Sequence, residues 1–132
     1  MSSTLPEEVA RFVVRIERDD VVRFAAAVGY GGAPGPLAPP TYPIRLLASS
    51  PAAEHLRTLA AAEGGAPVHV SQSFDYARRL RIDEEVEGRV LSSLEGEGVR
   101  RQAILVLELH DADGREIGRG ESRFVFARAP HE

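Results

Sequence analysis

Apolar and polar positions recur with two different periods along this chain, and the switches between them mark out its elements. Phe12-Val13-Val14-Arg15-Ile16 is β-branched and aromatic and predicts a first short strand. Asp19 and Asp20 then supply an N-cap. Val21, Phe24, Ala25 and Val28 follow at i, i+3, i+4 and i+7, one face of a helix that Gly29 can end in the left-handed conformation. From Tyr30 to Pro43 the chain carries Pro34, Pro36, Pro39, Pro40 and Pro43 among glycines, a density that predicts a long loop. Ser50-Pro51 opens a second helix to about Ala62, with Ala52, Leu56, Leu59 and Ala60 on one face and Gly64-Gly65 closing it.

Four strands follow. Val68, Val70, Phe74 and Tyr76 alternate with His69, Ser71, Ser73 and Asp75, while Gln72 interrupts the apolar side; this predicts a half-buried strand with His69 on its wet face. The others run from about Glu84 to Ser93, Arg101 to His110 and Glu116 to Ala127. In the Arg101 to His110 run, Ala103, Leu105, Leu107 and Leu109 share one face and Ile104 and Val106 the other, as in a central strand buried on both sides. Asp111-Ala112-Asp113-Gly114 reads as a hairpin turn, and Gly118 and Gly120 as a bulge or tight curvature. The order predicts an α+β plan: one helix wrapped by a curved antiparallel sheet.

At 132 residues the chain is expected to be one domain, spanning 1–132. Without Trp, and with five Phe and three Tyr, its core must come from small aliphatic side chains, worth about 25 cal/mol per Å² of apolar area buried. A net charge of −4 and dispersed arginines offer no basic stripe for nucleic acid. The absence of cysteine removes disulfides, thiolate nucleophiles and Cys-based zinc sites, and fits a reducing cytoplasm. No signal peptide or membrane-spanning run of about 20 apolar residues is expected. No residue spacing points to a metal, and no cofactor is expected. Gly29-Tyr30-Gly31-Gly32 is not a phosphate loop, since no Lys-Ser/Thr follows it. The acidic run Asp83, Glu84, Glu85 and Glu87 reads as a solvated strand edge.

Four segments, in order over nearly the whole chain, resemble the N-terminal-type MaoC-like dehydratase domain. They are the helix from Asp20 to Gly29, the stretch Leu37-Ala38-Pro39-Pro40-Thr41-Tyr42-Pro43, the strand Val68-His69 with Ser71-Gln72-Ser73-Phe74-Asp75-Tyr76, and Arg78 with Leu80. The resemblance implies a hot-dog fold and the chemistry of (R)-specific 3-hydroxyacyl-thioester dehydratases and enoyl-thioester hydratases. It also implies an acyl-CoA or acyl-carrier-protein substrate, a second hot-dog subunit in a homo- or heterodimer, and substrate contacts at Tyr30, Pro40, Thr41, Tyr42 and His69. Departures also stand out. Where the family often reads His-Arg-Pro-Leu, Ala77 replaces the His and Arg79 the Pro, and Asp83-Glu84 replaces the Gly-Asp that follows.

That chemistry moves an α-proton and a water, work suited to a near-neutral His and a carboxylate. Catalytic members resemble Gly-Asp-x-Asn-Pro-x-His after the first helix, but here Tyr30 stands at the Asp position and Gly35 at the His position. An unperturbed phenol near pKa 10 is a poor base. His55 reads as a packing or surface residue, and His69 and Asp75, six residues apart or roughly 20 Å along a strand, cannot form a dyad. No catalytic residue is therefore assigned. The expectation is a non-catalytic, acyl-chain-accommodating subunit. A non-enzymatic homodimeric acyl-thioester binding or scaffold module is the first alternative, and a thioesterase using Asp75 or Glu54 the second.

Overall fold

Residues 4–29 and 35–127 are described by a computed structural model of the chain; Tyr30 to Pro34, the start of the proline-rich loop, lie outside them. The elements are β1 (Glu7–Arg15), α1 (Arg18–Ala27), α2 (Pro43–Ala48), α3 (Ala52–Glu63), β2 (Ala66–Tyr76), β3 (Glu85–Glu95), β4 (Gln102–Asp111) and β5 (Glu116–Ala127). The strands form one antiparallel sheet in the order β1-β3-β4-β5-β2. β4 lies in the middle, which explains its two apolar faces: Ala103, Leu105, Leu107 and Leu109 are buried on one and Ile104 on the other. Helix α3 packs against β2 and β1, and α2 packs against α3, completing the α+β hot-dog arrangement.

Ile16, Val21, Val86, Val90, Leu105, Leu109 and Ile117 build a largely aliphatic core, with Tyr42 its largest fully buried side chain. Gly29 ends α1 at φ 72° and Gly64 ends α3 at φ 79°, the left-handed conformations their positions demanded.

Two local expectations need correction. The loop does not run to Pro43, because Pro43 opens α2, where a missing N–H costs nothing. The described part of the loop is tied by backbone bonds to the segment before β3. Ala38 N donates to Leu80 O at 2.9 Å and Ile82 N donates to Pro36 O at 2.9 Å. Nor is Glu84 a solvated edge residue. It takes a bidentate grip from Arg78, at 2.9 and 2.7 Å, and accepts the Arg81 amide at 2.5 Å. Burial alone would raise the Glu84 pKa, but the Arg78 guanidinium and the Arg81 amide outweigh it and hold the carboxyl below 4.5.

A bulge does occur in β5. It falls at Ile117, opposite the Leu109–His110 step of β4. Gly118 and Gly120 serve packing against β2. A Cβ at Gly118 would stand 2.8 Å from the Asp75 carbonyl oxygen and 2.9 Å from the Tyr76 ring, and one at Gly120 would stand 3.0 Å from the Phe74 ring.

Candidate functional site

The site begins with one extra residue in an edge strand. β2 pairs with β5 through His69 opposite Phe124 and then Ser71 opposite Arg123, leaving Val70 without a partner. Such a bulge reverses the in–out alternation. Before it, Pro67 and His69 face inward; after it, Gln72 and Phe74 do. Simple alternation had placed Val68 and Val70 beside Phe74 and Tyr76, with His69 and Asp75 together on the wet face. Val68 and Val70 are instead 43% and 49% exposed. His69 lines a cavity, whereas Asp75 is not among its lining residues.

That cavity has a volume of about 340 Å³ and lies between the two overlying helices and the inner face of the sheet. Ile44 and Leu47 of α2 and Ala52 and Leu56 of α3 cover it, and Leu105 of β4 and Phe124 of β5 form the opposing wall. The Ser50–Pro51 break between α2 and α3, followed by small Ala52 and Ala53, helps leave the space open. Ser50 Oγ accepts the Ala52 amide at 3.2 Å, satisfying a donor that the start of α3 exposes.

The polar groups of the cavity are few. His69 is exposed and stacks on Phe124, with ring centroids 4.8 Å apart and planes 22° apart. Arg57, also at the solvent side, is drawn to Glu54. Deeper in, the buried Ser122 hydroxyl donates to Gln72 Oε1. No carboxylate stands among the described lining residues. The cavity can hold an apolar chain and present an imidazole at its mouth.

The other residues singled out in the sequence lie elsewhere. Pro40 is exposed, and its carbonyl accepts the Tyr76 hydroxyl. Burial pushes the Tyr76 phenol up to about 12. Thr41 is exposed, and its carbonyl accepts the Ile44 amide at 3.1 Å. Tyr42 is only 1% exposed, meets Phe24 edge-on at 5.4 Å, and donates its hydroxyl to Asp20. Together with Asp20, Arg23 and Arg45, Tyr42 lines a separate groove of about 370 Å³ that shares no residue with the first. Tyr30 lies outside the described residues. Among the described members of the set, His69 alone lines the apolar cavity. His55 serves as a tether, its Nε2 sharing a 2.9 Å hydrogen bond with Ser92 Oγ between α3 and β3.

Gln72, Ser122, Leu56 and Phe124 were not foreseen as site residues. Gln72 did leave a trace, as the polar residue breaking an apolar run. Ser122 left none. Among the described residues no group of three or more His, Asp or Glu is placed to hold a metal ion, and no helix is long and apolar enough to cross a membrane.

No family model matches the chain, and no curated protein matches it in sequence. Solved structures do match in shape. HtdX from Mycobacterium tuberculosis superposes with a TM-score of 0.69 at 18% identity; the match covers 94% of this chain and 53% of that one, so the chain spans about half of HtdX. A C-terminally truncated HadBC complex, a 3R-hydroxyacyl-ACP dehydratase from the same organism, gives 0.61 at 14% identity over 90% of this chain and 96% of that one. A 1,4-dihydroxy-2-naphthoyl-CoA thioesterase from Synechocystis gives 0.61 at 12% identity over 92% and 83%. At these identities the likeness is one of fold, and the fold is the hot-dog fold.

Proposed function

From the hot-dog fold as premise, we propose that this chain is the acyl-chain-accommodating subunit of an (R)-specific 3-hydroxyacyl-thioester dehydratase or enoyl-thioester hydratase. The observation that carries the reading is the apolar cavity of about 340 Å³ with a histidine at its mouth and no carboxylate on its described lining. Such a site can receive a hydrocarbon chain, but it lacks the acid/base pair that moves a proton and a water. A second hot-dog subunit supplies that pair. β2 offers a place for it: it is an edge strand with Val68 and Val70 exposed, and His69 lies between them at the cavity mouth. His69 then contacts the substrate, and the protein acts on CoA or carrier-protein thioesters in the cytoplasm as one half of a dimer.

The test is co-expression with the product of an adjacent reading frame that carries Asp-x-Asn-Pro-x-His, followed by hydration of crotonyl-CoA. The reading expects hydration by the pair and none by this chain alone. Enzyme-like hydration by this chain alone would sink it. An inactive pair would favour the scaffold alternative.

A thioesterase is the second reading, and one contact favours it. Glu54 is hydrogen-bonded to Arg57, which lines the cavity, at 2.5 Å, so a carboxylate stands near the mouth. Release of free thiol from an acyl-CoA, abolished by Glu54→Gln, would establish that activity.

A further inference from the structure

The apolar groove beneath α2 does not end with the large cavity. A second void of about 10 Å³ continues it toward Pro43, Phe74, Leu107 and Gly120. Ile44, Leu47, Gln72 and Ser122 line both spaces. Apolar side chains thus continue on either side of a single polar pair, formed by an amide from β2 and a hydroxyl from β5.

This pair is held in place. Ser122 is 1% exposed and donates to Gln72 Oε1, while Gln72 Nε2 donates to the Ser73 carbonyl at 3.1 Å. Both ends of the amide are therefore engaged. A ligand methyl group that pushed Gln72 aside would leave the buried Ser122 hydroxyl without this acceptor. The gain from burying one more methylene is smaller than that penalty. The barrier is consequently stiffer than an apolar side chain of equal size, which could turn to another rotamer without losing a hydrogen bond.

We propose that Gln72, pinned by Ser122, is the end stop that sets the longest acyl chain the cavity accepts. This rests on the acyl-thioester reading above. Phe74 cannot be the stop of the large cavity, since it lines only the smaller void beyond the pair. The void beyond is only about 10 Å³, so the room for a longer chain comes from the volume that a shortened Gln72 side chain vacates.

Calorimetric titration of the whole chain with saturated acyl-CoAs from butanoyl to hexadecanoyl tests this. Wild-type affinity should rise about three- to fourfold per methylene, as burial of each CH₂ predicts, and then stop rising at one length. Gln72→Asn should move that cut-off outward by about one methylene and Gln72→Ala by about two or more. Gln72→Glu keeps the reach and the acceptor for Ser122, and should keep the wild-type cut-off. If Gln72→Ala does not fold, the milder Asn variant decides. An unchanged cut-off in the shortened variants overturns the end stop, as does binding that is independent of chain length; in either case thioester recognition stands. If no acyl-CoA binds the wild type at any length, the acyl-thioester reading fails, and the end stop with it.

Discussion

The Tyr42 hydroxyl donates to the Asp20 carboxylate, joining the start of α2 to α1 across a sequence separation of 22 residues. The ring itself is buried against Phe24, so one side chain both fills the core and bridges two helices. Asp20 is also approached by Arg45 at 3.3 Å and Arg23 at 3.7 Å. Tyr42→Phe should therefore cost about 1–2 kcal/mol: the ring stays, the hydrogen bond to a charged group goes, and the arginines continue to shield the carboxylate. Urea unfolding at neutral pH measures it. A change near zero would mean that solvent replaces the bond without cost.

Alkaline titration should reveal Tyr76. Burial raises its phenol from an ordinary value of 10.0 to about 12. Between those values the unfolded chain has lost this proton and the folded chain has kept it, so stability must fall as pH rises. The contribution is complete below pH 10 and is lost by about pH 12. Tyr42 acts in the same direction, since burial and the Asp20 carboxylate both raise its pKa. Tyr76→Phe should flatten the fall in urea midpoint over that window. Equal slopes for wild type and variant would show that Tyr76 titrates alike in both states.

The two glycines of β5 should respond unequally to alanine. At Gly118 the new methyl would meet the Asp75 carbonyl, part of a paired backbone, at 2.8 Å; at Gly120 it would meet only the Phe74 ring at 3.0 Å and Gln72 Nε2 at 3.3 Å. Gly118→Ala should cost about 2–3 kcal/mol and Gly120→Ala about 1 kcal/mol, the latter relieved by ring movement. Thermal unfolding of the pair, compared at one temperature, decides the order.

Asp83 occupies φ 72°, a conformation in which a side chain is strained. Its amide donates to Ile16 O at 2.6 Å, and Ile16 N donates to Glu84 O at 2.8 Å, so the turn cannot relax without releasing the end of β1. Asp83→Gly should be neutral or stabilising by up to about 1 kcal/mol, and Asp83→Val should destabilise by at least about 1 kcal/mol. A stable valine variant in chemical denaturation would mean that the turn adopts another conformation.

Much of the architecture could be read from periodicity because most elements bury one clean face. The run from Glu116 to Ala127 is β5 itself, and the apolar double face of β4 identified the middle of the sheet. What escaped was local. β1 starts at Glu7, earlier than Phe12, because Glu8 and Arg11 sit on its exposed side and pair with each other and with Arg89 and Glu87 of β3. α2 was hidden because Pro43 looks the same at the end of a loop as at the first turn of a helix. The site suffered most: the Val70 bulge has no compositional signature, and it alone decides which residues of β2 reach the cavity. Ser122 becomes a partner for Gln72 only through the strand pairing of β2 with β5.

The bulge also makes β2 a strand whose two duties can evolve separately. Pro67, His69 and Gln72 address the cavity, while Val68 and Val70 stand exposed along the free edge of the sheet. A substitution that retunes what enters the cavity need not alter what can settle against that edge, and the reverse holds as well. Straightening the strand with Val70 retained in the pairing would instead turn His69 outward and Val68 and Val70 inward in a single step. One unpaired residue thus decides which side chains of β2 face the cavity and which face outward.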